Sequence, residues 1–387
     1  MFYNKSIRIL GKGKTAAALK EKFTNSTWYD DSDFNLYDKN NHDLTIVSPG
    51  IPPYNDMVKN SNNICSDYDL FFPKMPLSIW ITGTNGKTTT TQMTQHLLES
   101  YNSEYGGNIG IPLCDMNTKN KIWILETSSF TLHYTNKAYP NVFILLPISE
   151  DHITWHGSFE EYRNAKLKPL SMMKDGQVAI VPEHFKDVET KAFLITYKDS
   201  NDLASKFSID INKINFKEPF LLDALLAIAT QKILFDKIDY EKINTFKVDK
   251  HKVEEFKDKN QNLWVDDSKA TNIDATINAL KAYQNKKIYL ILGGDDKGAK
   301  LEPLFEELKK YNVELFNIGK NTKRLNVLSK DYNIKHNECN FLKNAVEKIK
   351  EKIDTNSLGM LSPAAASLDQ YSSYAQRGEE FKNLVKI

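Results

Sequence analysis

Short apolar runs alternate with amphipathic stretches along almost the whole chain. Ile7–Leu10 and Leu44–Val47 read as strands, with a helix over Thr15–Phe23 between them. The runs at 79–81, 121–125, 141–146 and 177–181 read as further strands, with a helix over 158–173 and a long apolar helix over Pro219–Phe235. Beyond a polar stretch, Val253–Phe256 and Leu263–Val265 predict a hairpin, followed by a helix near 273–282 and strands at 287–292 and 313–318. Strands apolar along their full length belong in parallel sheets covered on both faces, with the intervening helices as crossovers. The predicted fold class is therefore α/β.

At 387 residues the chain is too long for one typical core. Phe72-Pro73-Lys74-Met75-Pro76 reads as a linker, and a second boundary falls before the hairpin, so the expected domains are 1–74, 75–247 and 248–387. With 51 basic and 50 acidic residues the net charge is +1, which carries no nucleic-acid footprint. Cys65, Cys114 and Cys339 are odd in number and widely spaced, suggesting small buried hydrophobes and no disulfide framework or thiolate zinc site. No run approaches the roughly 18 apolar residues of a membrane span, and a soluble cytoplasmic protein is expected. Arginine occurs only as Arg8, Arg163, Arg324 and Arg377, so lysine stands where a relative would use arginine.

Chemistry concentrates first at Ile79-Trp80-Ile81-Thr82-Gly83-Thr84-Asn85-Gly86-Lys87-Thr88-Thr89-Thr90. An apolar strand, a glycine turn and Gly-Lys-Thr describe a phosphate cradle for a nucleoside triphosphate. Its backbone N–H groups and helix N-terminus meet the anion, Lys87 neutralises charge, and Thr88 is placed for magnesium. The strict pattern wants glycine where Ile81 stands, so this is a shorter variant loop; the competing reading is a strand–turn–helix corner whose glycines only relieve strain. Gly11-Lys12-Gly13-Lys14-Thr15-Ala16, with Asp30 and Asp31 about twenty residues on, matches a relaxed dinucleotide fingerprint or an ordinary βα turn.

Ligands of parallel sheets gather beyond the strands' carboxyl ends. Glu126, followed by Ser128-Ser129, and Glu150-Asp151-His152 occupy such positions. They suit a metal beside the triphosphate, although magnesium prefers oxygen to histidine nitrogen, and they equally suit capping. Lys166, within a predicted helix, reads by spacing as a solvated cation. Asp266-Asp267-Ser268-Lys269-Ala270-Thr271-Asn272 joins a strand to a helix as a nucleotide or substrate contact would, with Asp267 or Thr271 also available as a cap. Gly293-Gly294-Asp295-Asp296-Lys297-Gly298 would let Lys297 reach an anionic group, and Ser362-Pro363-Ala364-Ala365-Ala366-Ser367-Leu368-Asp369 offers small residues for close approach.

Taken together, Gly83 to Thr89, Gly107-Asn108-Ile109-Gly110-Ile111-Pro112, Leu125-Glu126-Thr127-Ser128-Ser129-Phe130, Glu150-Asp151-His152 and Asp267-Ser268-Lys269-Ala270-Thr271-Asn272 resemble, in order and across nearly the whole chain, the Mur ligases of bacterial cell-wall synthesis. The tail, Ser362 to Gln370 with Gln376-Arg377-Gly378-Glu379-Glu380-Phe381, is similar to the family's D-glutamate-adding branch, and the Asp-Asn-Pro-Arg signature of the diaminopimelate- or lysine-adding branch is missing. The resemblance implies a Rossmann-like N-terminal domain holding a UDP-sugar, a central P-loop ATPase domain, and a Rossmann-like C-terminal domain binding ATP and the incoming amino acid. It implies an ATP-dependent amide ligase of peptidoglycan precursor synthesis that joins D-glutamate to UDP-N-acetylmuramoyl-L-alanine through an acyl phosphate. It also implies a magnesium-dependent monomer.

Carried over residue by residue, the resemblance implies catalytic roles for Lys87, Glu126, His152 and Lys166. ATP would meet Gly83, Thr84, Asn85, Gly86, Lys87, Thr88, Thr89, Lys252, Asp267 and Lys269. The UDP substrate would meet Lys14, Thr15, Asp30 or Asp31, Asn108 and Ser128; D-glutamate would meet Thr271, Lys297, Ser367, Leu368 and Tyr374. Two magnesium ions would be held by Thr88, Glu126, His152 and a carbamylated Lys166. Lys252 stands where the family generally has arginine, and Asp223 where relatives place an adenosine-contacting asparagine. Competing readings are an ATP-hydrolysing switch, a ligase for another amino acid, and a dehydrogenase built on residues 11–31, which leaves the phosphate loop unexplained.

Overall fold

The computed structural model describes residues 6–30, 32–38 and 42–386. It divides into two compact units, one running to Phe216 and including Phe220–Phe246, the other comprising Lys217–Pro219 and the chain from Lys247. Three sheets organise the described residues.

In the first unit, β1 (Ile7–Leu10), β2 (Thr27–Tyr29), β3 (Leu44–Val47) and β4 (Ile64–Cys65) form a parallel sheet ordered β2-β1-β3-β4. β5 (Leu77–Thr82), β6 (Ser103–Gly107), β7 (Ile122–Glu126), β8 (Val142–Leu145), β9 (Val178–Pro182) and β10 (Phe193–Tyr197) form a second, also fully parallel, ordered β10-β9-β8-β5-β7-β6. β5, β7 and β8 are buried at nearly every position, which explains their continuous apolar runs. After β5 the chain goes to one side through helix Lys87–Leu98, β6 and β7, then returns to the other side as β8. The carboxyl end of β5 is therefore a topological switch point, where open α/β sheets bind ligands.

The expected linker at 72–76 is instead a short 3-10 turn, Phe72–Lys74, that continues directly from helix Asp67–Phe71. Proline's fixed φ suits the first turn of a helix, so Pro73 tightens the segment. This corner is locked to the second sheet: the Asp69 carboxylate accepts the backbone N–H groups of Asn136, Lys137 and Ala138 at 2.8, 2.7 and 2.8 Å. Ser66 and Thr135 share a hydroxyl contact at 2.8 Å, and the Tyr134 hydroxyl donates to the Ile51 carbonyl at 2.8 Å. One apolar core runs through both sheets, joining Ile9 and Ile46 to Trp80, Trp123 and Phe143.

In the second unit, β11 (Glu254–Lys257), β12 (Leu263–Asp266), β13 (Lys287–Leu292), β14 (Val313–Ile318), β15 (His336–Asn340) and β16 (Ser357–Leu361) are ordered β11-β12-β16-β13-β14-β15. β11 and β12 form the expected antiparallel hairpin, and the remaining pairings are parallel. β16 needs Gly359, since a Cβ there would lie 2.4 Å from the Trp264 ring. Helix Ile273–Lys281 is capped by Asn272, whose side chain accepts from Ala275 N at 2.9 Å, so neither Asp267 nor Thr271 is the cap. The three cysteines are buried, and among the described residues no helix is long and apolar enough to cross a membrane.

Candidate active site

The phosphate loop leaves β5 through Gly83 (φ 150°) and enters helix Lys87–Leu98 through Gly86 (φ 84°). Both positions require glycine: a Cβ on Gly83 would stand 2.4 Å from Leu146 Cβ, and one on Gly86 2.6 Å from Asp223 Oδ1. Asp223 reaches the loop from helix Phe220–Phe235 and accepts the Thr90 hydroxyl at 2.7 Å. Thr84 is held by its hydroxyl, which donates to the Ser149 carbonyl at 3.1 Å and lies 3.0 Å from the Tyr162 hydroxyl.

Glu126 ends β7 beside this loop because its neighbour in register is Ile81 of β5. Its two carboxylate oxygens are separately occupied. Thr88 Oγ1 donates to Oε2 at 2.7 Å, and Asn108 Nδ2 donates to Oε1 at 2.8 Å. Asn108 is thus first of all the group that orients Glu126. The carboxylate and the Thr88 hydroxyl form an all-oxygen pair, the ligand chemistry that magnesium takes.

Lys87 Nζ donates back into its own loop, to the carbonyls of Gly83 at 3.1 Å and Thr84 at 2.7 Å. Burial pulls its pKa down, with Glu126 and Asp151 opposing. Lys166 is not the solvated cation its helical spacing suggests. It is 1% exposed, lies over the Tyr162 ring at 4.7 Å, and donates to the Gly83 carbonyl at 2.7 Å. Burial above all, then the Lys87 charge, pushes its pKa well below the ordinary lysine value.

His152 sits in left-handed backbone (φ 54°) at the start of the short helix Ile153–His156. Its Nε2 is 3.6 Å from the Asp151 carboxylate, and its ring stands 4.7 Å from that of Phe130. Ser128 caps helix Ser129–Tyr134, accepting from Thr131 N at 3.0 Å. Behind them His156 Nε2 meets Ser129 Oγ at 3.0 Å, and burial holds the His156 pKa down at about 4.

At the first sheet, Gly11 (φ 112°) lets the turn after β1 approach the turn after β3, where a Cβ would come within 2.6 Å of Ser48 Cβ. Helix Lys14–Lys22 follows Gly13, with Lys14 exposed and Thr15 half-buried. Asp30 is buried and paired with Lys12, whereas Asp31 lies outside the described residues. Arg8, on the interior strand β1, is fully buried and donates to the Tyr37 hydroxyl and the Asp38 carbonyl at 2.5 Å each.

In the second unit Asp267 lies beyond β12, accepting the Ser362 hydroxyl at 2.6 Å and Val253 N at 3.2 Å. Burial raises its pKa to about 7. Lys269 lies over the Tyr374 ring at 4.3 Å. Lys252 is paired with Asp249 at 3.0 Å. Thr271 and Lys297 are exposed, Ser367 is buried, and Leu368 is 69% exposed. Arg377, in the Gln376–Phe381 motif but given no role by the resemblance, is the buried tie of this site, donating from Nε to Ser268 Oγ at 3.0 Å and from Nη2 to the carbonyls of Ser268 and Ala365 at 2.9 and 3.1 Å. His251 Nδ1 similarly meets Asp266 Oδ2 at 2.6 Å. The scarcity of arginine is the signal that would have singled out Arg377.

Residues 81–254 match the Mur ligase middle domain. The chain is 48% identical over 397 residues to the UDP-N-acetylmuramoylalanine--D-glutamate ligase of Campylobacter jejuni strain RM1221, covering 98% of this chain and 99% of that protein. It is 44% identical over 422 residues to the enzyme of the same name from Helicobacter pylori strain 26695, with 98% and 99% covered. Among solved structures, its fold is similar to the MurF ligase from Thermotoga maritima in complex with ADP, with a TM-score of 0.60 and 14% identity over 98% of this chain and 93% of that one. The chain belongs to the Mur ligase family. Within it, the agreement over the full length places the chain with the UDP-N-acetylmuramoylalanine--D-glutamate ligases.

Proposed function

We propose that the enzyme joins D-glutamate to UDP-N-acetylmuramoyl-L-alanine at the expense of ATP, with the residues above in the following roles. A carboxylate is a poor electrophile, so the L-alanyl carboxylate first attacks the γ-phosphorus of ATP, expelling ADP and forming an acyl phosphate. The D-glutamate amine then attacks the acyl carbon, inorganic phosphate leaves, and the amine loses a proton. The observation that carries this reading is the convergence of Lys87, the Thr88–Glu126–Asn108 chain and buried Lys166 on one phosphate loop at a sheet switch point.

Gly83 to Thr89 cradle the triphosphate with backbone N–H groups, and Lys87 counters the repulsion between the two reacting anions. Thr88 and Glu126 fit one magnesium ion by their oxygen chemistry, and Glu126, His152 and a carbamate on Lys166 would hold a second. Bound there, magnesium would neutralise phosphate charge. Lys166 suits carbamate formation because burial favours its neutral amine, the form that adds to carbon dioxide. Lys14, Thr15 and Asp30 or Asp31 would serve the UDP group, with Asn108 and Ser128 serving the reacting end of that substrate. Lys252, Asp267 and Lys269 serve the nucleotide. Thr271, Lys297, Ser367, Leu368 and Tyr374 serve D-glutamate, with Lys297 paired to a carboxylate. The working form is a cytoplasmic monomer of three domains, 1–74, 75–247 and 248–387.

The test is phosphate release from ATP, magnesium and UDP-N-acetylmuramoyl-L-alanine with D-glutamate, L-glutamate, diaminopimelate or lysine added separately, and the product mass determined. Stimulation by D-glutamate alone, with the matching mass gain, is expected. Hydrolysis indifferent to every amino acid would replace the ligase with an ATP-driven switch.

A further inference from the structure

Lys297 sits in a turn whose shape is imposed from outside. Its φ is 51°, a left-handed conformation sparsely populated by side-chain-bearing residues, which persists only where the surroundings hold it. Two consecutive carboxylates do the holding: Asp295 Oδ1 accepts Lys297 N at 3.1 Å, and Asp296 Oδ1 accepts Gly298 N at 2.9 Å. Asp295 is itself fixed by a two-way backbone pairing with Ala366, at 2.9 Å in each direction, immediately before Ser367 and Leu368.

Asp296 is fixed from the other side. Its Oδ2 accepts Asn321 Nδ2 at 3.0 Å and Arg324 Nη1 at 3.1 Å. Asn321 also grips Gly294, its Oδ1 accepting Gly294 N at 3.0 Å and its own N–H donating to the Gly294 carbonyl at 3.2 Å. The Asp296 side chain is only 11% exposed, so its charge is poorly screened and Arg324 is the guanidinium that balances it. Lys320 lies 3.7 Å from the Asp295 carboxylate, a looser and more exposed ion pair.

We propose that Arg324, acting through Asp296 and Asn321, is a positioning residue for the amino-acid substrate, an inference that rests on the reading of Lys297 as its carboxylate partner. It does two things at once. It holds the turn that carries Lys297, and it cancels a negative charge one residue from Lys297 that would otherwise repel the carboxylates of the incoming amino acid. None of these three residues is assigned contact with the substrate itself.

The two effects make a distinctive experiment on the full-length enzyme, with steady-state KM measured for each of the three substrates. Arg324→Ala is expected to raise the KM for D-glutamate about tenfold, the scale of one lost charge-assisted hydrogen bond. The KM values for ATP and UDP-N-acetylmuramoyl-L-alanine should stay within about twofold, well below that one-bond scale. Arg324→Lys should remain near the parent because the charge is kept. Adding Asp296→Asn to Arg324→Ala should recover part of the loss, since the uncompensated charge is then gone. An unchanged D-glutamate KM in Arg324→Ala would overturn the proposal. So would a double variant worse than the single, or a parallel rise in all three KM values with a lowered melting temperature. Lys297→Ala separates this inference from the reading beneath it. If Lys297→Ala leaves the D-glutamate KM unchanged, the reading of Lys297 fails; if it raises KM while Arg324→Ala does not, only the role of Arg324 fails.

Discussion

Lys87 and Lys166 direct their terminal nitrogens at one oxygen, the carbonyl of Gly83, from 3.1 and 2.7 Å. Two ammonium groups sharing a buried acceptor repel, and the cost falls on the more deeply buried of them, Lys166, whose pKa is driven down by burial first and by Lys87 second. A lowered pKa favours the neutral amine that the proposed carbamylation requires. Lys166→Ala is expected to lower kcat by about 100-fold or more, the scale for losing a preorganised charged group. Formate or acetate in the assay should restore part of that activity by standing in for the oxygens of the proposed carbamate. Failure of every short carboxylic acid to restore it, together with full wild-type activity in carbon-dioxide-depleted buffer, would remove the carbamate.

Lys252 poses a question of geometry. Its charge matches an arginine at this position, but a single ammonium lacks the planar fork that grips two oxygens, and here it is engaged by Asp249 at 3.0 Å. A phosphate bound through Lys252 would share its ammonium with Asp249 or displace it. Lys252→Ala should raise the KM for ATP several-fold, a loss of about 1 kcal/mol, and Lys252→Arg should lower it below the parent value. An ATP KM unmoved by either change would take Lys252 out of the nucleotide site.

What was legible in the chain is what one strand or one turn decides locally. The runs forming β5, β7, β8 and β13 are apolar because both faces of those strands are covered, so their places follow from composition alone. β15, with the sequence HNECN, sits at a sheet edge, where one covered flank suffices and no apolar run is needed. Within the site, the glycine turns and the strand-end carboxylate Glu126 carried their own signal. The burial of Lys166 did not, because it depends on which side of the helix Phe159–Met172 meets the loop. The contact of Thr90 with Asp223 joins residues 133 apart, and the clamp of Asp296 by Arg324 joins residues 28 apart. No spacing rule encodes either.

Asp67 offers a test in stability alone. It opens helix Asp67–Phe71 in the corner between the first two sheets, and burial raises its pKa from 3.8 to about 7. A carboxyl group whose folded pKa lies above its unfolded value contributes fully below about pH 4, and that contribution is lost as pH rises through about 7. Asp67→Asn keeps an acceptor for Tyr68 N, which Asp67 Oδ1 meets at 3.1 Å, without the charge. Wild type and variant should melt together near pH 4, and the variant should gain a growing advantage up to pH 8, worth a few kcal/mol at most on the scale of about 1.4 kcal/mol per pKa unit. A melting difference independent of pH would show that Asp67 ionises as freely in the folded protein as in the unfolded chain.

Gly86 is where backbone and ligand demands coincide. Its φ of 84° disfavours any side chain, and the missing Cβ is the space occupied by Asp223 Oδ1, 2.6 Å from where that carbon would be. Gly86→Ala therefore combines left-handed strain of about 1 kcal/mol or more with displacement of a carboxylate that accepts the Thr90 hydroxyl. The helix N-terminus proposed to receive phosphate would tilt with it. Calorimetry should show at least about tenfold weaker ATP binding, corresponding to about 1.4 kcal/mol, together with a lower melting temperature. Combining Gly86→Ala with Asp223→Ala relieves the steric part and leaves the strain. Because Asp223→Ala also removes the Thr90 partner, the double variant should lose less melting temperature than the two single variants together; full additivity would show that Asp223 is not the residue that excludes a side chain there.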